Sequence, residues 1–227
     1  MRKYFAAATL ALGALAACDD NGTEPIPQAR VRVVQAVSNV ASADVLFGTE
    51  KVKAGLAYKG VYENASTPAG AVTVKVRKAG ATADIVSAAV TAEANKSYTV
   101  VALGTEAAPQ QLSLVDDLTA PASGKAKVRV VHAAAGEAAV DVYVVKAAAD
   151  LATATALKAN LAAKSASDYL VVDANATYLV ILTTPGTKTP VLTVQAVALT
   201  AGKVYTVVAV EKAGGGGPLE SVVLADR

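Results

Sequence analysis

The sequence contains no tryptophan, two phenylalanines, one histidine and one cysteine among its 227 residues. A single cysteine excludes a disulfide within the chain, and a single histidine cannot supply a usual zinc site. Aromatic residues make up only 4% of the chain, so the rings that anchor many ligand pockets and interface hot spots are scarce. The composition therefore argues against a deep site lined by aromatic rings.

Small apolar residues are what the chain has in quantity. Hydrophobic residues account for 53% of the sequence and the mean hydropathy is +0.40, which excludes an extended disordered chain. Much of this content is alanine, so we expect a core of small side chains. The formal net charge is +2, and no run of lysine and arginine offers the clustered positive charge that nucleic acid binding needs. Nucleic acid is therefore not an expected partner, and no motif predicts a cofactor.

The N-terminus has the pattern of a secretory signal. A basic start, MRK, precedes an apolar run that is too short to span a bilayer comfortably. The run ends in LAAC at residues 15–18, which resembles a bacterial lipobox, where the cysteine thiol receives a diacylglyceryl group and cleavage exposes its amine for acylation. We predict a signal peptide over residues 1–17, lipidation of Cys18, and a polar tether over residues 18–28. An ordinary signal peptide with a chance cysteine is the alternative.

A sequence pattern in the first half of the chain occurs again in the second half. VRVV at residues 31–34 recurs at 128–131, and ADV at residues 43–45 corresponds to VDV at the same offset of 97 residues. YTVVA at residues 98–102 recurs after a longer offset, so about ten residues are inserted in the second half, where loops tolerate them. Two copies of this length indicate tandem domains and not a solenoid.

We predict a first repeat over residues 29–118, a linker over 119–125 and a second repeat over 126–227. Apolar and polar residues alternate in runs such as VTVKV at residues 72–76, which is typical of half-buried antiparallel strands. Turn residues separate these runs, so the fold class is predicted as all-β, with two tandem immunoglobulin-like antiparallel β-sandwich domains of about seven strands each. The alanine-rich residues 147–166 favour a short helix as the alternative there.

The repeated motifs resemble the bacterial domain-of-unknown-function family 4397. The resemblance lies in the opening ARVRVVQA at residues 29–36, in the later PAGAVTVKV, and in the strand YTVVA, and it covers nearly all of residues 29–226 as two copies. The sequence departs from the family pattern of a histidine and a proline-rich turn after the first strand, since the first copy has Gln35 followed by Ala-Val-Ser-Asn. The resemblance implies a secreted or lipid-anchored protein, and it brings no catalytic residues.

Four polar positions are candidate site residues because they match between the repeats. His132 corresponds to Gln35, and Asp141 corresponds to Asp44. As a catalytic base His132 would need a nearby acid, and Asp141 on the next predicted strand could orient it. Because an amide replaces the hydrogen bonds of a histidine but not its proton transfer, Gln35 argues against a shared catalytic role. We interpret His132 and Gln35 as groups bonded to the adjacent loop, and the two aspartates as turn or backbone-capping acids.

These observations lead to an expected function. We predict a membrane-tethered, noncatalytic lipoprotein of the bacterial cell envelope that acts as a binding, adhesion or scaffold module, on the periplasmic side or the cell surface. Its expected partners are the membrane, through the lipid, and an envelope protein or glycan. The alternatives are an envelope hydrolase or an accessory domain of one, and a carrier with a small ligand between its sheets. No catalytic and no metal-binding residue is predicted.

The lipid anchor can be tested with a Cys18→Ala variant expressed beside the wild type in a bacterial host. The wild-type chain is expected in the membrane fraction with an added lipid mass, because two or more acyl chains give stable anchoring. The variant lacks the thiol that accepts the lipid and is expected in the soluble fraction with no added mass. Fractionation and intact mass spectrometry make the measurement. Identical behaviour of the two chains, both without lipid, would contradict the prediction.

Overall fold

The structure is a computed structural model that describes residues 26–226, apart from the side chain of Asn64. The predicted signal peptide, Cys18 and most of the predicted tether lie outside the described residues. The strands of the first half are β1 (Gln28–Val37), β2 (Ser42–Phe47), β3 (Glu50–Ala57), β4 (Val61–Pro68), β5 (Gly70–Lys78), β6 (Asp84–Ala92), β7 (Ser97–Gly104) and β8 (Pro109–Asp116).

The second half adds nine strands and one 3₁₀ helix. The strands are β9 (Lys125–His132), β10 (Val140–Val145), β11 (Lys158–Leu161), β12 (Ser165–Ala166), β13 (Leu170–Asp173), β14 (Ala176–Thr183), β15 (Pro190–Leu199), β16 (Val204–Val210) and β17 (Glu220–Ala225). The 3₁₀ helix spans Ala148–Ala152. The predicted all-β architecture of two sandwiches is confirmed.

Each half contains two sheets, and the strand order is equivalent in both. Inner sheet 1 has the order β4-β1-β7-β8 and outer sheet 1 the order β3-β2-β5-β6. Inner sheet 2 has the order β12-β9-β16-β17, with β13 also paired to β9, and outer sheet 2 has the order β11-β10-β14-β15. The short strands β12 and β13 together take the place of β4. The two halves therefore share one topology.

The structure corrects the predicted sandwiches in two respects. The halves have eight and nine strands, more than the seven expected. The prediction was too low because the edge strands β3 and β4 have little alternation of apolar and polar residues. The sheets are also not purely antiparallel, since β1 pairs with β7 in parallel and β9 pairs with β16 in parallel. Each parallel pair joins the first strand of a half to a strand near its end, so the start of each half is fixed at the centre of its inner sheet.

Each sandwich has its own core of small aliphatic side chains between its two sheets. In each half a tyrosine near the start of β7 or β16 packs into the core. The hydroxyl of Tyr98 accepts a hydrogen bond from the backbone N–H of Glu93 at 2.9 Å, and the hydroxyl of Tyr205 accepts one from Thr200 at 3.1 Å. A tyrosine that bonds back to the chain just upstream is also a hallmark of immunoglobulin-like sandwiches, as the tyrosine corner.

The inserted residues of the second half cover the outer face of outer sheet 2. Tyr143, Ile181 and Leu151 form a small buried cluster there, so the 3₁₀ helix that carries Leu151 acts as a lid on the sheet. The short helix considered for residues 147–166 is limited to this five-residue 3₁₀ helix. The following residues form β11 instead, because Leu161 is buried and pairs with the edge of β10.

The two inner sheets pack against each other and join the halves. Val34, Leu103, Val131 and Val208 belong to one apolar cluster that spans both halves. The central strands are consequently buried on both faces, which explains why VRVV reads as a nearly continuous apolar run and not as an alternating one. Lys127 and Asp117 lie on either side of the predicted linker and form an ion pair at 2.7 Å, which brings the two ends of this segment together.

A buried charge network crosses this interface twice. Arg32 Nη1 lies 2.7 Å from Asp226 Oδ1, and Arg129 Nη2 lies 2.6 Å from Asp116 Oδ1. The two arginines occupy matching positions in the repeats, and each is 3% exposed. Each arginine therefore pairs with the aspartate of the opposite half, in an arrangement that is nearly symmetric.

Two threonines, one in each half, complete the network. The Thr99 hydroxyl accepts a hydrogen bond from Arg32 at 2.8 Å and donates to Asp116 at 2.8 Å. The Thr206 hydroxyl in the same way accepts from Arg129 at 3.1 Å and donates to Asp226 at 2.6 Å. Because a buried charge is stable only when it is paired and hydrogen-bonded, the network holds the two inner sheets in one relative position.

Loss of one partner in this network is expected to destabilise the whole molecule. Arg129→Met takes away the closest cation of Asp116 and leaves this buried carboxylate with the longer 3.7 Å contact to Arg32 Nη2, so we expect the free energy of unfolding to fall by about 3–5 kcal/mol. The double variant Arg129→Met/Asp116→Leu removes both charges and should lose less than the single variant. Urea denaturation measures both. Lys125→Met, which breaks an exposed pair, is the control. An Arg129→Met loss no greater than that of the control would contradict the role of the network.

Candidate functional site

The parallel pairs give the molecule two distinct ends. β1 and β7 run in the same direction, as do β9 and β16. Their first residues lie at the end where the chain enters at Gln28, which we call the tether end. Their last residues, Val37, Gly104, His132 and Val210, lie at the opposite, distal end. Since β1 has ten residues, the distal end is roughly 30 Å from the tether end.

A cleft lies at the distal end where the two halves meet. Its volume is about 470 Å³, and both halves line it. We call it the distal cleft. The first half contributes the loop after β7 with Thr105, and Gln110 of β8, while the second half contributes Gly136, Lys164 and Glu211. The cleft is therefore built from the loops that follow the central strands of both inner sheets.

Glu211 is the central polar residue of the distal cleft. It is 8% exposed, and its Oε1 accepts a hydrogen bond from the backbone N–H of Gly136 at 2.8 Å. Its backbone oxygen accepts the hydroxyl of Tyr58, from the other half, at 2.5 Å. Burial raises the pKa of the Tyr58 hydroxyl, and the Glu211 and Glu220 carboxylates raise it further, so this hydroxyl keeps its proton and stays a donor.

The glycine-rich segment after β16 forms one wall of the cleft. The Gly214 N–H donates to the backbone oxygen of Ser38 in the other half at 2.7 Å. Gly215 has a φ of 93°, and a Cβ at this position would lie 3.5 Å from Glu211 Oε2. The glycines thus allow a backbone conformation that L residues rarely adopt and bring the wall close to the carboxylate.

His132 and Gln35 occupy equivalent places and bond to the loop that follows. Both side chains are fully buried. Gln35 Nε2 donates to the backbone oxygen of Val40 at 2.7 Å, and its Oε1 accepts the Val37 N–H at 2.8 Å. His132 Nε2 lies 2.8 Å from the backbone oxygen of Ala138. His132 Nδ1 has no hydrogen-bond partner among residues 26–226. Each side chain therefore secures the loop after the first strand of its half.

Asp44 bonds to the neighbouring edge strand. Its Oδ1 accepts the backbone N–H of Gly55 at 3.0 Å and its Oδ2 lies 2.5 Å from Lys51 Nζ. The hydrogen bond from Lys51, followed by the one from Gly55, lowers the pKa of the Asp44 carboxyl, so it is ionised at neutral pH. The carboxylate holds β3 against β2.

Asp141 makes equivalent backbone contacts in the second half. Its two oxygens accept the N–H groups of Asn160 at 2.7 Å and Gly186 at 2.8 Å. No hydrogen bond joins Asp141 to His132 within the described part of the chain, because both carboxylate oxygens and the imidazole Nε2 have backbone partners. The geometry does not provide the acid–base pair that the hydrolase alternative requires.

A second, larger concavity lies on the side of the first sandwich. Its volume is about 810 Å³, and it opens between the edge strands β3 and β4. The rings of Phe47 and Tyr62 line it, with centroids 6.5 Å apart and planes inclined by 65°. We call it the flank groove. It is an open groove with two rings and not the deep, ring-lined site that the composition argued against.

Sequence reasoning missed the residues of both concavities. Glu211 has no counterpart in the repeated motifs, and its neighbours in space come from distant loops. Phe47 lies two residues beyond the end of the repeated ADV motif, so the difference from Val144 at the matching position was the available signal. Among residues 26–226, no group of three or more His, Cys, Asp or Glu side chains is placed to hold a metal ion. No helix in that range is long and apolar enough to cross a membrane.

The fold defines an all-β protein of two immunoglobulin-like sandwiches joined through their inner sheets. The model of the family described as Domain of unknown function (DUF4397) matches residues 29–143. The match covers half of the chain, and the chain belongs to this family, as its motifs predicted. It includes the whole first sandwich and continues through β9 into β10.

The comparison with curated proteins finds no match. Among solved structures, the chain is similar to CBMbc (family CBM26) from Eubacterium rectale Amy13K, whose crystal structure is in complex with maltoheptaose. The identity is 9% and the TM-score is 0.28, over 88% of this chain and 97% of that chain. This similarity is too slight to support any conclusion about the present protein from the ligand of that structure.

The equivalence of His132 and Gln35 can be tested by exchange. His132→Gln keeps a group that can bond to the Ala138 oxygen, so we expect the free energy of unfolding to fall by less than about 1 kcal/mol. His132→Ala removes the bond and opens a cavity at a fully buried position, with an expected loss of about 2–4 kcal/mol. Chemical denaturation measures both. Equal losses in the two variants would show that the amide cannot take the place of the imidazole.

Proposed function

We propose that the protein is a noncatalytic binding module of the bacterial cell envelope, held to a membrane by a lipid on Cys18, and that the distal cleft meets its partner. One observation carries the proposal. The distal cleft is formed by both halves at the end of the molecule opposite to the point where the chain enters from Cys18. A tether at one end and a binding cleft at the other suit a protein that displays a site away from a surface.

The dimensions support this arrangement. The inner strands set the cleft roughly 30 Å beyond the tether end. Between Cys18 and Gln28 the chain is ten residues long and can span at most about 35 Å. The cleft can therefore stand well clear of the headgroups while the lipid stays in the membrane.

The fixed contact between the halves supports a preformed site. The apolar cluster and the two buried arginine–aspartate pairs hold the inner sheets together, and the cleft lies at the edge of that contact. A site whose walls are already positioned loses less conformational entropy on binding than one that must be assembled. The buried network at the tether side of the interface thus serves the cleft at the distal side.

The proposal includes a second copy of the family domain in residues 126–227. The two halves have equivalent strand orders, and Gln35 and His132 bond to the same loop in each. Arg32 and Arg129 also have matching partners across the interface. A duplicated domain that packs against itself explains why the cleft has one wall from each copy.

The expected partner is an envelope protein or a glycan. The cleft walls offer backbone groups of glycines together with Glu211, Gln110, Thr105 and Lys164, which suit hydrogen bonding to a polar surface. A hydrolase is the weaker candidate, because His132 and Asp141 are bonded to separate backbone groups. A carrier with a ligand between the sheets is also weaker, since both sandwich interiors are filled by their own side chains.

Site-specific photocross-linking in intact cells tests the display of the cleft. A photoreactive residue replaces Ala108, an exposed residue of the cleft, or Lys203, an exposed residue of the tether end. We expect a distinct cross-linked product from position 108 that is absent from position 203, and its mass spectrum identifies the partner. Absence of any product at 108, or the same product at both positions, would contradict the proposal. A cross-linked product at position 108 that persists in the Cys18→Ala variant would show that the cleft binds its partner without the lipid anchor.

A further inference from the structure

The flank groove is an opening between the two sheets of the first sandwich. β3 and β4 are edge strands of different sheets and are not paired with each other. Where they diverge, the groove is lined by Glu50 at the start of β3 and by Pro68 at the end of β4. Because Pro68 pairs with Gln28, this end of the groove lies at the tether end, away from the distal cleft. The groove is therefore a separate site from the one proposed above.

Two aromatic rings form the apolar surface of this groove. Phe47 and Tyr62 pack at the open margin of the sandwich core and remain partly exposed. They are the one pair of aromatic rings in contact in the described part of the chain. Both rings line the groove, and the face of an aromatic ring carries partial negative charge that attracts polarised C–H groups.

Polar groups lie beside these rings. Glu50 is the direct cross-strand neighbour of Phe47, so the two side chains project from the same face of the sheet. Glu50 is exposed and has no ion-pair partner among residues 26–226. The Tyr62 hydroxyl has no hydrogen-bond partner within that same range. A carboxylate and a phenol hydroxyl are thus available next to an apolar ring surface.

The charge of the groove excludes an anion as its natural ligand. Lys51 is the cationic residue of the lining, and its ammonium is paired with the Asp44 carboxylate at 2.5 Å. Glu50 is the remaining unpaired charge and it is negative. The groove therefore suits a neutral ligand with many hydroxyl groups, which donate to the carboxylate, and with C–H surfaces, which pack on the rings.

The second sandwich lacks these features. At the offset that relates Asp44 to Asp141, Phe47 corresponds to Val144, which packs against the core of the second half. The fold can thus be built with an aliphatic residue at this position. The ring of Phe47 is a property of the first copy and not a requirement of the topology.

An added peptide strand fits the groove less well than a sugar chain. β3 carries Lys51 and Lys53 along its exposed edge, a pattern that protects edge strands from pairing. β4 ends in Pro68, which has no N–H to offer a further strand. We infer that the flank groove binds a neutral oligosaccharide, with a pyranose ring against Phe47 and Tyr62 and its hydroxyls bonded to Glu50.

Titration of the full chain with Cys18→Ala, which keeps it free of lipid, tests this inference. The probes are the neutral oligosaccharides cellohexaose, chitohexaose and maltohexaose, measured by calorimetry and by amide NMR shifts. We expect at least one of them to bind, with shifts centred on Phe47 and Tyr62. Phe47→Val, which installs the residue of the second copy, and Glu50→Gln, at an exposed position, should each weaken binding at least about tenfold.

The controls distinguish this site from the distal cleft and from loss of folding. Lys125→Met breaks an exposed ion pair outside both concavities and should leave saccharide affinity unchanged, and thermal unfolding checks every variant. Amide shifts centred on Gly136 and Glu211 would place the saccharide in the distal cleft instead and contradict the inference. Binding that is insensitive to Glu50→Gln and Phe47→Val would overturn the inference, as would a panel in which no saccharide binds. Binding of a (Thr-Val)₃ peptide in the groove without any saccharide would assign it to a protein partner instead. The photocross-linking result at position 108 is independent of each of these outcomes.

Discussion

The structure depends on two arginine–aspartate pairs that cross from one sandwich to the other. Arg32 and Arg129 are almost completely buried, and each finds its carboxylate on the opposite half. Arg32 also lies 3.7 Å from Asp116 of its own half, but each guanidinium would lose its closest carboxylate if the halves separated. A buried charge without a partner is far more costly than an apolar side chain in the same place. These pairs and the apolar cluster therefore hold the two halves together, although each half has its own core.

Other features of the molecule follow from this constraint. Because the inner sheets are covered on both faces, their central strands need apolar residues on both sides, and the repeated VRVV motif meets this need with one charge in a fixed place. The short linker does not set the relative position of the halves. The distal cleft exists because the loops after the same strands converge at the far end of the interface, where Tyr58 and Gly214 link the two halves.

The sequence predicted the parts of the fold that have a strong local pattern. Strands β1, β2, β5, β6, β7 and β8 carry clear apolar runs or alternation, and the repeat located their equivalents in the second half. β3 and β4 were missed because edge strands are largely exposed and have little apolar period. The roles of Arg32 and Asp116 could not be predicted because their closest ion-pair partners come from the other half, and the role of Glu211 could not be predicted because its carboxylate bonds to a distant loop at Gly136. Contacts between loops that are more than seventy residues apart in the chain do not affect the local spacing of apolar and polar residues, so that spacing cannot predict them.

Comparison of the two halves separates residues that the fold requires from residues that it permits. Gln35 and His132 differ in type, yet both bond to the following loop, so the position is structural. The aspartates of β2 and β10 likewise cap backbone N–H groups in both halves. Phe47 and Val144 both pack against the core of their own half, but Phe47 in addition lines a groove with an unpaired carboxylate. The two halves thus share the buried contacts that their topology needs and differ in their surfaces, and the flank groove lies where the surfaces differ.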